Sequence, residues 1–247
     1  MTGVFDAAQA LGRGIPDRER AWAFIRRFAA AWDEPLSAKD STPAAELDRA
    51  EARLGCPLPA ALRDVHTLLG LRDSLVANQE PLLPPAEIFV HDEWGGVLVF
   101  RSENQDGAFW GVRLDDVRED DPPVWVQARH GWVPFLDRVS LACVELVLSE
   151  ALFGGGGRLY NACELPADLL ARVPERFARL ALPDYPMWTG PEEYPVRWFS
   201  APGQLLRQDG SDVHSWLHVR GRTRADLREI CETIPGPWTL AYAEDLV

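Results

Sequence analysis

Residues 97–114, VLVFRSENQDGAFWGVRL, predict the element around which the fold is organised. The first four of them are branched or aromatic, as is typical of a strand. The pair Asp106-Gly107 follows, and its backbone tolerates a positive φ, which is the strongest local signal for a β-hairpin. On the return strand, apolar residues recur at every second position and share one face: Trp110, Val112 and Leu114. The opposite face is mixed, so we predict a sheet with one packed and one partly open face.

Helices are predicted ahead of the hairpin, beginning with a short one over residues 4–11. Asp17 follows a proline and caps the next helix, whose aromatic and apolar residues recur at helical spacing. Residues 41–43, Ser-Thr-Pro, predict a hydroxyl cap and a proline in the first turn of another helix, which ends at Gly55. Pro59 then opens a further helix with an apolar inward face.

A closing helix and a glycine-rich break follow the hairpin. The helix is predicted over residues 137–153, with one apolar stripe. The stripe consists of Leu141, Val144, Leu148 and Leu152. Residues 154–157 are all glycine and predict a boundary between domains or subdomains. Beyond them, one or two helices over residues 164–182 precede three short strands and a helix capped by Thr223. The strands are predicted at residues 196–200, 203–208 and 213–219.

These elements predict an α+β fold with helices around a central, mostly antiparallel sheet. The three late strands and their helix form a C-terminal β-β-β-α extension that could extend the first sheet. We expect three parts along the chain. They are an N-terminal helical extension over residues 1–40, a core over 41–154, and a C-terminal α+β extension packed on the core over 155–247.

The charge balance narrows the class of partner. The formal net charge is -13 and the sequence pI is near 4.8. A protein that binds duplex nucleic acid needs a basic stripe to displace counterions, and the sequence has no such run. An acidic protein instead attracts a basic protein partner by electrostatic steering, although net charge can also serve solubility alone.

Cysteine usage and hydropathy predict a cytoplasmic protein with no membrane association. The four cysteines are scattered in apolar surroundings and form no Cys-x-x-Cys pair, so we expect reduced, buried thiols. The N-terminus lacks the basic start and apolar core of a signal peptide. We also expect no apolar run near the roughly 20 residues that a membrane span needs.

Two histidine-containing groups are candidates for a metal or acid–base site. His214 and His218 lie four apart on a predicted strand, which would separate their Cβ atoms by about 13 Å, too far to share a metal ion. Residues 91–94, His-Asp-Glu-Trp, combine an imidazole with two carboxylates before two glycines. Because adjacent loop residues rarely converge on one point, a solvated turn is the favoured interpretation of this group.

An acidic run follows the hairpin and comprises Asp115, Asp116, Glu119, Asp120 and Asp121. It lacks the alternating spacing of a calcium loop. It is either a solvated loop or an acidic patch that docks an arginine- or lysine-rich partner. The sequence also lacks a P-loop and a Gly-x-Ser-x-Gly motif. We therefore predict neither a cofactor nor enzymatic activity.

Three segments resemble the SMI1/KNR4, or SUKH, superfamily. Residues 45–70, AELDRAEARLGCPLPAALRDVHTLLG, are similar to the opening helix, Leu-Gly, Leu-Pro step and second helix of that family. Residues 103–116, ENQDGAFWGVRLDD, resemble bacterial members in their Glu-Asn-Gln, turn and aromatic-Gly pair. Residues 121–127, DPPVWVQ, resemble the entry to a further strand in those proteins. The resemblance covers residues 42–153.

The resemblance implies a protein-binding function. Many bacterial members are inferred to be immunity proteins that bind and neutralise a cognate toxin, without turnover. Acidic and aromatic groups would then cover the active site of a basic toxin domain, with steering from the net charge. The candidate partner-binding residues are Trp94, Asp115, Asp116, Glu119 and Asp120.

Two alternatives remain open at this point. The first is an intracellular scaffold or regulatory protein of the same fold, since fungal members are linked to cell-wall regulation and fold alone does not decide function. The second is a metal-dependent enzyme that uses His91, His214 or His218.

Overall fold

Helices and antiparallel strands make up the computed structural model, which describes residues 5–129, 131–190, 195–210 and 215–239. The helices are α1 Ala7–Leu11, α2 Arg18–Trp32, α3 Ala44–Leu54, α4 Ala60–Leu69, α5 Asp73–Val76, α6 Val139–Phe153, α7 Ala167–Leu170, α8 Val173–Arg176 and α9 Arg224–Thr233. The strands are β1 Phe89–His91, β2 Val97–Ser102, β3 Phe109–Arg113, β4 Val124–Ala128, β5 Gly131–Leu136, β6 Tyr160–Leu165, β7 Ala178–Arg179, β8 Tyr185–Pro186, β9 Pro195–Ala201, β10 Gln204–Asp209 and β11 Ser215–Gly221. The predicted α+β class is confirmed.

The chain divides into two compact units. The first is Ile15–Gly154, and the second combines residues 5–14 with the described residues after Gly154. This differs from the predicted division, which grouped residues 1–40 as one extension. The side chain of Asp6 caps α1 and also accepts a hydrogen bond from the Ser200 hydroxyl of β9, at 2.8 Å. Helix α1 therefore belongs with the second unit.

The first unit contains a five-stranded antiparallel meander in the order β1-β2-β3-β4-β5. The predicted hairpin is its β2–β3 pair, and Asp106 takes the expected positive φ of 58°. The carboxylate of Glu103 closes the turn by accepting from the backbone N–H groups of Gln105 and Gly107. Two local features therefore stabilise this turn: the positive φ of Asp106 and the hydrogen bonds that the Glu103 carboxylate accepts.

The predicted open face of the hairpin is more buried than expected. Strand β2 is buried along its whole length, and both Val97 and Val99 have no exposed surface. Their register partners include Gly111, where an added Cβ would lie 2.5 Å from a methyl group of Val97. Glycine at this position therefore lets the strands approach closely beneath the side chains of that face.

Helix α6 is buried on all sides, whereas the sequence predicted one apolar stripe. It packs against α2, α4, α5 and β5, so polar residues of its other faces are also enclosed. Among them, Glu145 and Glu150 have 2% and 0% exposed surface. The stretch Val139–Gly157 is long and apolar enough to cross a membrane, contrary to the expected absence of such a run, but 83% of its apolar window is buried within the protein.

The helix boundary signals at Asp17 and Gly55 are confirmed. Asp17 caps α2 by accepting from the backbone N–H of Arg20 at 2.8 Å. Gly55 ends α3 with a left-handed φ of 71°. The predicted hydroxyl cap of α3 is wrong, because Pro43 is the N-cap and no side chain caps the helix. The buried hydroxyl of Thr42 has no hydrogen-bond partner among the described residues.

The second unit has its own six-stranded antiparallel sheet, in the order β6-β11-β10-β9-β7 with β8 on β9. The three predicted strands and the helix capped by Thr223 are confirmed as β9, β10, β11 and α9. The suggestion that they extend the first sheet is wrong. The free edge of β11 pairs instead with β6, a strand that the sequence pattern did not predict. Helix α9 covers one face, with Leu227, Ile230 and Cys231 in the core.

All four cysteines are free thiols, but the prediction that each is buried is wrong for Cys56. Cys143, Cys163 and Cys231 are buried, and Cys56 is partly exposed. Burial raises the pKa of Cys163 to about 12 and also raises that of Cys143. Burial and the nearby Glu51 carboxylate raise the pKa of Cys56 to a smaller extent, so each thiol is protonated near neutral pH.

We expect one of the four thiols to react with a disulfide reagent in the folded protein while the other three stay protected. Cys56 is the only partly exposed one, whereas the other three require unfolding before they react. Labelling with Ellman's reagent, followed by peptide mass spectrometry, measures this directly. The Cys56→Ser variant should lose the fast phase, and urea should expose the remaining thiols. Rapid labelling of Cys163 in the folded protein would contradict the assigned core.

Candidate partner-binding surface

Trp94 stands out from the surface of the first unit, in the turn between β1 and β2. Its indole is 50% exposed, and its backbone has a φ of 57°. A bulky residue rarely adopts this left-handed conformation, so the fold holds the residue there against local preference. The indole edge packs on Trp125 of β4, with ring centroids 5.2 Å apart and planes at 80°. Trp94 is therefore an exposed but oriented aromatic group.

The acidic loop between β3 and β4 begins beside this turn. The backbone N–H of Leu114 donates to the carbonyl oxygen of Gly96 at 3.0 Å, which joins the two loops at one end of the meander. Asp115 follows directly, with an 81% exposed side chain that lies 3.3 Å from Arg113. Asp116 is half-buried, and its backbone N–H closes a turn on the carbonyl oxygen of Arg113. The structure therefore brings Trp94, Asp115 and Asp116 to the same end of the sheet.

Farther along the loop, the predicted residues lie beside the start of α4. The carbonyl oxygen of Asp120 accepts from the backbone N–H of Ala61 at 2.8 Å. Its carboxylate is 81% exposed and lies 3.4 Å from Arg18. Glu119 is exposed. Asp121 has a different role, because its carboxylate accepts from the backbone N–H and hydroxyl of Ser140 in the first turn of α6.

An aromatic cluster that the sequence analysis missed adjoins Trp94 on the face of the sheet opposite α6. We call it the aromatic face, and its residues are Phe89, His91, Phe109, Trp125 and Trp132. Phe89 packs edge-on against Phe109 at 5.4 Å, and His91 packs edge-on against Trp132 at 5.7 Å. The sequence shows these aromatic residues within each strand. It does not show that they share one face of the sheet, because that depends on the register between strands.

The aromatic face contains two buried indole donors. The indole N–H groups of Trp125 and Trp132 are buried and have no hydrogen-bond partner among the described residues. A buried donor without a hydrogen bond lowers the stability of the folded state by about 1–3 kcal/mol, so such donors are unusual in folded proteins. Trp125 lies on β4 and contacts Trp94, and Trp132 lies on the neighbouring strand β5.

The histidines do not assemble a metal site within the described residues. His91 contacts Trp132 and Phe109, and its Nε2 lies 3.4 Å from the Gln127 amide nitrogen. His218 lies on β11 of the other unit, stacked against Trp216 as the strand register predicts. His214 lies outside the described residues.

The second unit also contains a cleft of about 620 Å³. Its charged lining consists of Arg179, Arg197 and Asp184, and both arginines pair with the single carboxylate. Burial opposes ionisation of Asp184, but the two guanidinium groups lower its pKa overall. We call the end of the sheet that carries Trp94, Asp115 and Asp116 the Trp94 surface. Since the charges of the cleft already pair with one another, the cleft is a weaker candidate site than the Trp94 surface.

The Trp94 surface combines the two chemistries that recognise a cationic side chain. An exposed indole attracts a guanidinium or ammonium group over its face, and neighbouring carboxylates provide ion pairs. The existing pairs of Asp115 and Asp120 with arginines are solvent-exposed and therefore weak, so a partner's arginine can replace them.

Comparison of the chain with family models, curated proteins and solved structures found no match.

Proposed function

We propose that this chain is a non-catalytic protein-binding module that captures a basic segment of a partner protein. The observation that carries the proposal is Trp94, which is half-exposed, edge-packed on Trp125 and adjacent to the acidic loop. Aromatic anchors of this kind dominate the binding energy of protein interfaces, while surrounding charges set the association rate. The net charge of -13 supports a basic partner by long-range steering.

Within this class, we propose an immunity-type function in the cytoplasm, in which the module occludes the active site of a cognate toxin. The support is the resemblance of residues 42–153 to the SMI1/KNR4 superfamily, together with the acidic and aromatic surface. Occlusion needs no chemical step, so the module would act at one-to-one stoichiometry. A scaffold of the same fold would use the same surface without abolishing a partner's activity.

The first experiment identifies the partner and then measures binding. We would capture interacting proteins from the host lysate at low and high salt, purify the retained basic protein, and titrate it by calorimetry. We expect one-to-one binding that weakens with salt, because ion pairs and steering are screened. Loss of the partner's activity at one equivalent would support neutralisation, whereas binding without inhibition would favour the scaffold.

Replacing Trp94 with alanine should weaken that binding by about tenfold or more, as expected for an aromatic anchor. The matched control is Trp216→Ala, because Trp216 is 41% exposed but lies in the other unit. Similarly, Asp115→Asn should slow association, while Asp137→Asn, an exposed carboxylate beside Arg138, should not. Equal effects of Trp94→Ala and Trp216→Ala would rule out the Trp94 surface.

A further inference from the structure

Four polar side chains form a continuous chain on the face of the second sheet opposite α9. Tyr160 lies on β6, His218 on β11, and Arg207 and Asp209 on β10. The Tyr160 hydroxyl is 2.7 Å from Nδ1 of His218, and Nε2 of the same ring is 3.4 Å from Oδ2 of Asp209. Nε of Arg207 donates to Oδ1 of Asp209 at 2.7 Å. The chain therefore runs from phenol to imidazole to carboxylate to guanidinium.

Burial increases from one end of this chain to the other. Tyr160 is partly exposed, and the side chain of His218 is 18% exposed. The side chains of Asp209 and Arg207 are only 11% and 4% exposed. Burial opposes ionisation of Asp209, but Arg207 and His218 lower its pKa overall, so the carboxylate stays charged. A charged, buried acceptor thus lies behind a partly exposed imidazole.

The charged Asp209 carboxylate favours the tautomer of His218 that carries its proton on Nε2. A charged carboxylate can only accept, so Nε2–H of His218 donates to Asp209. In the tautomer that carries its proton on Nε2, Nδ1 of His218 accepts from the Tyr160 hydroxyl. Burial raises the pKa of Tyr160 to about 12, so the phenol keeps its proton until it reacts. Tyr160 therefore has a base within hydrogen-bond distance of its own proton.

We propose that Tyr160 is a nucleophile that accepts an acyl group from an activated ester, with His218 as its general base. The phenolic oxygen forms a bond to the acyl carbon while its proton passes to Nδ1 of His218. The bond between the acyl carbon and the leaving oxygen breaks, and the leaving group takes that proton from the imidazolium. Asp209 is a positioning residue that holds the ring and stabilises the imidazolium. This activity is independent of the Trp94 surface.

A second observation supplies a place for the acyl donor. Trp216 is 41% exposed and stacks on His218, with centroids 6.2 Å apart and planes at 23°. On its other side, His218 stacks on Tyr160 at 6.1 Å and 21°. The three rings form a row whose exposed end is apolar. An ester whose aryl or alkyl group contacts Trp216 lies on the same face of the sheet as the Tyr160 hydroxyl, with the His218 ring between them.

The test uses the full chain and p-nitrophenyl acetate, with N-acetyltyrosinamide in the same solution as an internal reference. We expect one equivalent of p-nitrophenolate to be released rapidly and the acetyl group to be found on Tyr160 by peptide mass spectrometry. Tyr160 should react at least about tenfold faster than the reference compound, because general-base assistance accelerates such steps. The Tyr160→Phe variant should lose the burst.

Further variants separate nucleophile activation from a structural hydrogen bond. His218→Gln should slow acetylation of Tyr160 by about a hundredfold, and Asp209→Asn by a smaller factor, with folding checked by circular dichroism. Tyr185→Phe is the matched control, since the Tyr185 hydroxyl accepts from the Trp198 indole at 2.8 Å. Acetylation of Tyr160 no faster than the reference, or unchanged by His218→Gln in a folded protein, would overturn the proposal.

Discussion

Replacing Arg101 with leucine is expected to lower the free energy of unfolding by about 3–5 kcal/mol, the largest effect of any single change proposed for the first unit. Arg101 has 1% exposed surface in the middle of the core. Its guanidinium lies 2.5 Å from Glu80 and 2.6 Å from Glu145. Burial disfavours the charged group, but these carboxylates outweigh it and raise the pKa of Arg101. Removing the arginine leaves two buried carboxylates without their shared cation.

Urea denaturation measures the lower free energy of unfolding, and two further variants identify its cause. Arg18→Leu is the matched control, because Arg18 also pairs with two carboxylates but its side chain is 30% exposed, so we expect less than about 1 kcal/mol. Adding Glu145→Leu to Arg101→Leu should restore part of the stability, since one uncompensated charge is removed. A loss as small as that of Arg18→Leu would show that the core network is not closed to water.

Lowering the pH from 7 to 5 is expected to destabilise the first unit by about 2 kcal/mol through His66. This side chain of α4 is 1% exposed, and neither ring nitrogen has a hydrogen-bond partner among the described residues. Burial lowers its pKa from 6.5 to about 4. The folded state therefore holds the ring neutral, while the unfolded chain binds a proton below about pH 6.5. The stability that comes from keeping His66 neutral in the folded state is fully present above about pH 6.5 and is lost as the pH falls toward 4.

The His66→Leu variant provides the comparison for this titration. Its free energy of unfolding should change less between pH 7 and 5, because the group that takes up the proton on unfolding has been removed. The two proteins share every other residue, so the difference between them isolates His66. An identical pH dependence in the two proteins would mean that the ring is hydrated or already protonated in the folded state.

The sequence predicted those elements whose determinants are local. Asp106-Gly107, the Asp17 cap and Gly55 act through their own backbone or a neighbouring N–H, so short-range rules sufficed. The Thr223 cap of α9 was predicted for the same reason, and the helix begins there with a capping box. Three late strands were likewise evident from their apolar alternation and turn residues.

The parts that could not be predicted depend on contacts between distant residues. Arg101 meets Glu80 and Glu145 across 21 and 44 residues, and its position in β2 read only as the end of an apolar run. The aromatic face required the register of four strands. The Tyr160–His218 pair is 58 residues apart and depends on β6, for which the pattern gave no signal.

Among the residues of the acidic run and its neighbours, some lie together as the prediction requires, and one has a different role. Trp94 and Asp115 were named from composition and resemblance alone, and the structure places them at one end of the meander. Their proximity follows from topology, because the β1–β2 and β3–β4 loops of an up-and-down meander emerge at the same end. The acidic run was predicted as one feature, but the Asp121 carboxylate already accepts from the backbone N–H and the hydroxyl of Ser140.

The grouping of α1 with the second unit has a consequence for synthesis on the ribosome. Asp6 and its partner Ser200 are 194 residues apart, which at about 5–20 residues per second separates their emergence by roughly 10–40 s. The unit Ile15–Gly154 is continuous and can fold during that interval. The first helix must therefore wait, unpaired, while an entire domain is made and folds between it and the strand on which it finally docks.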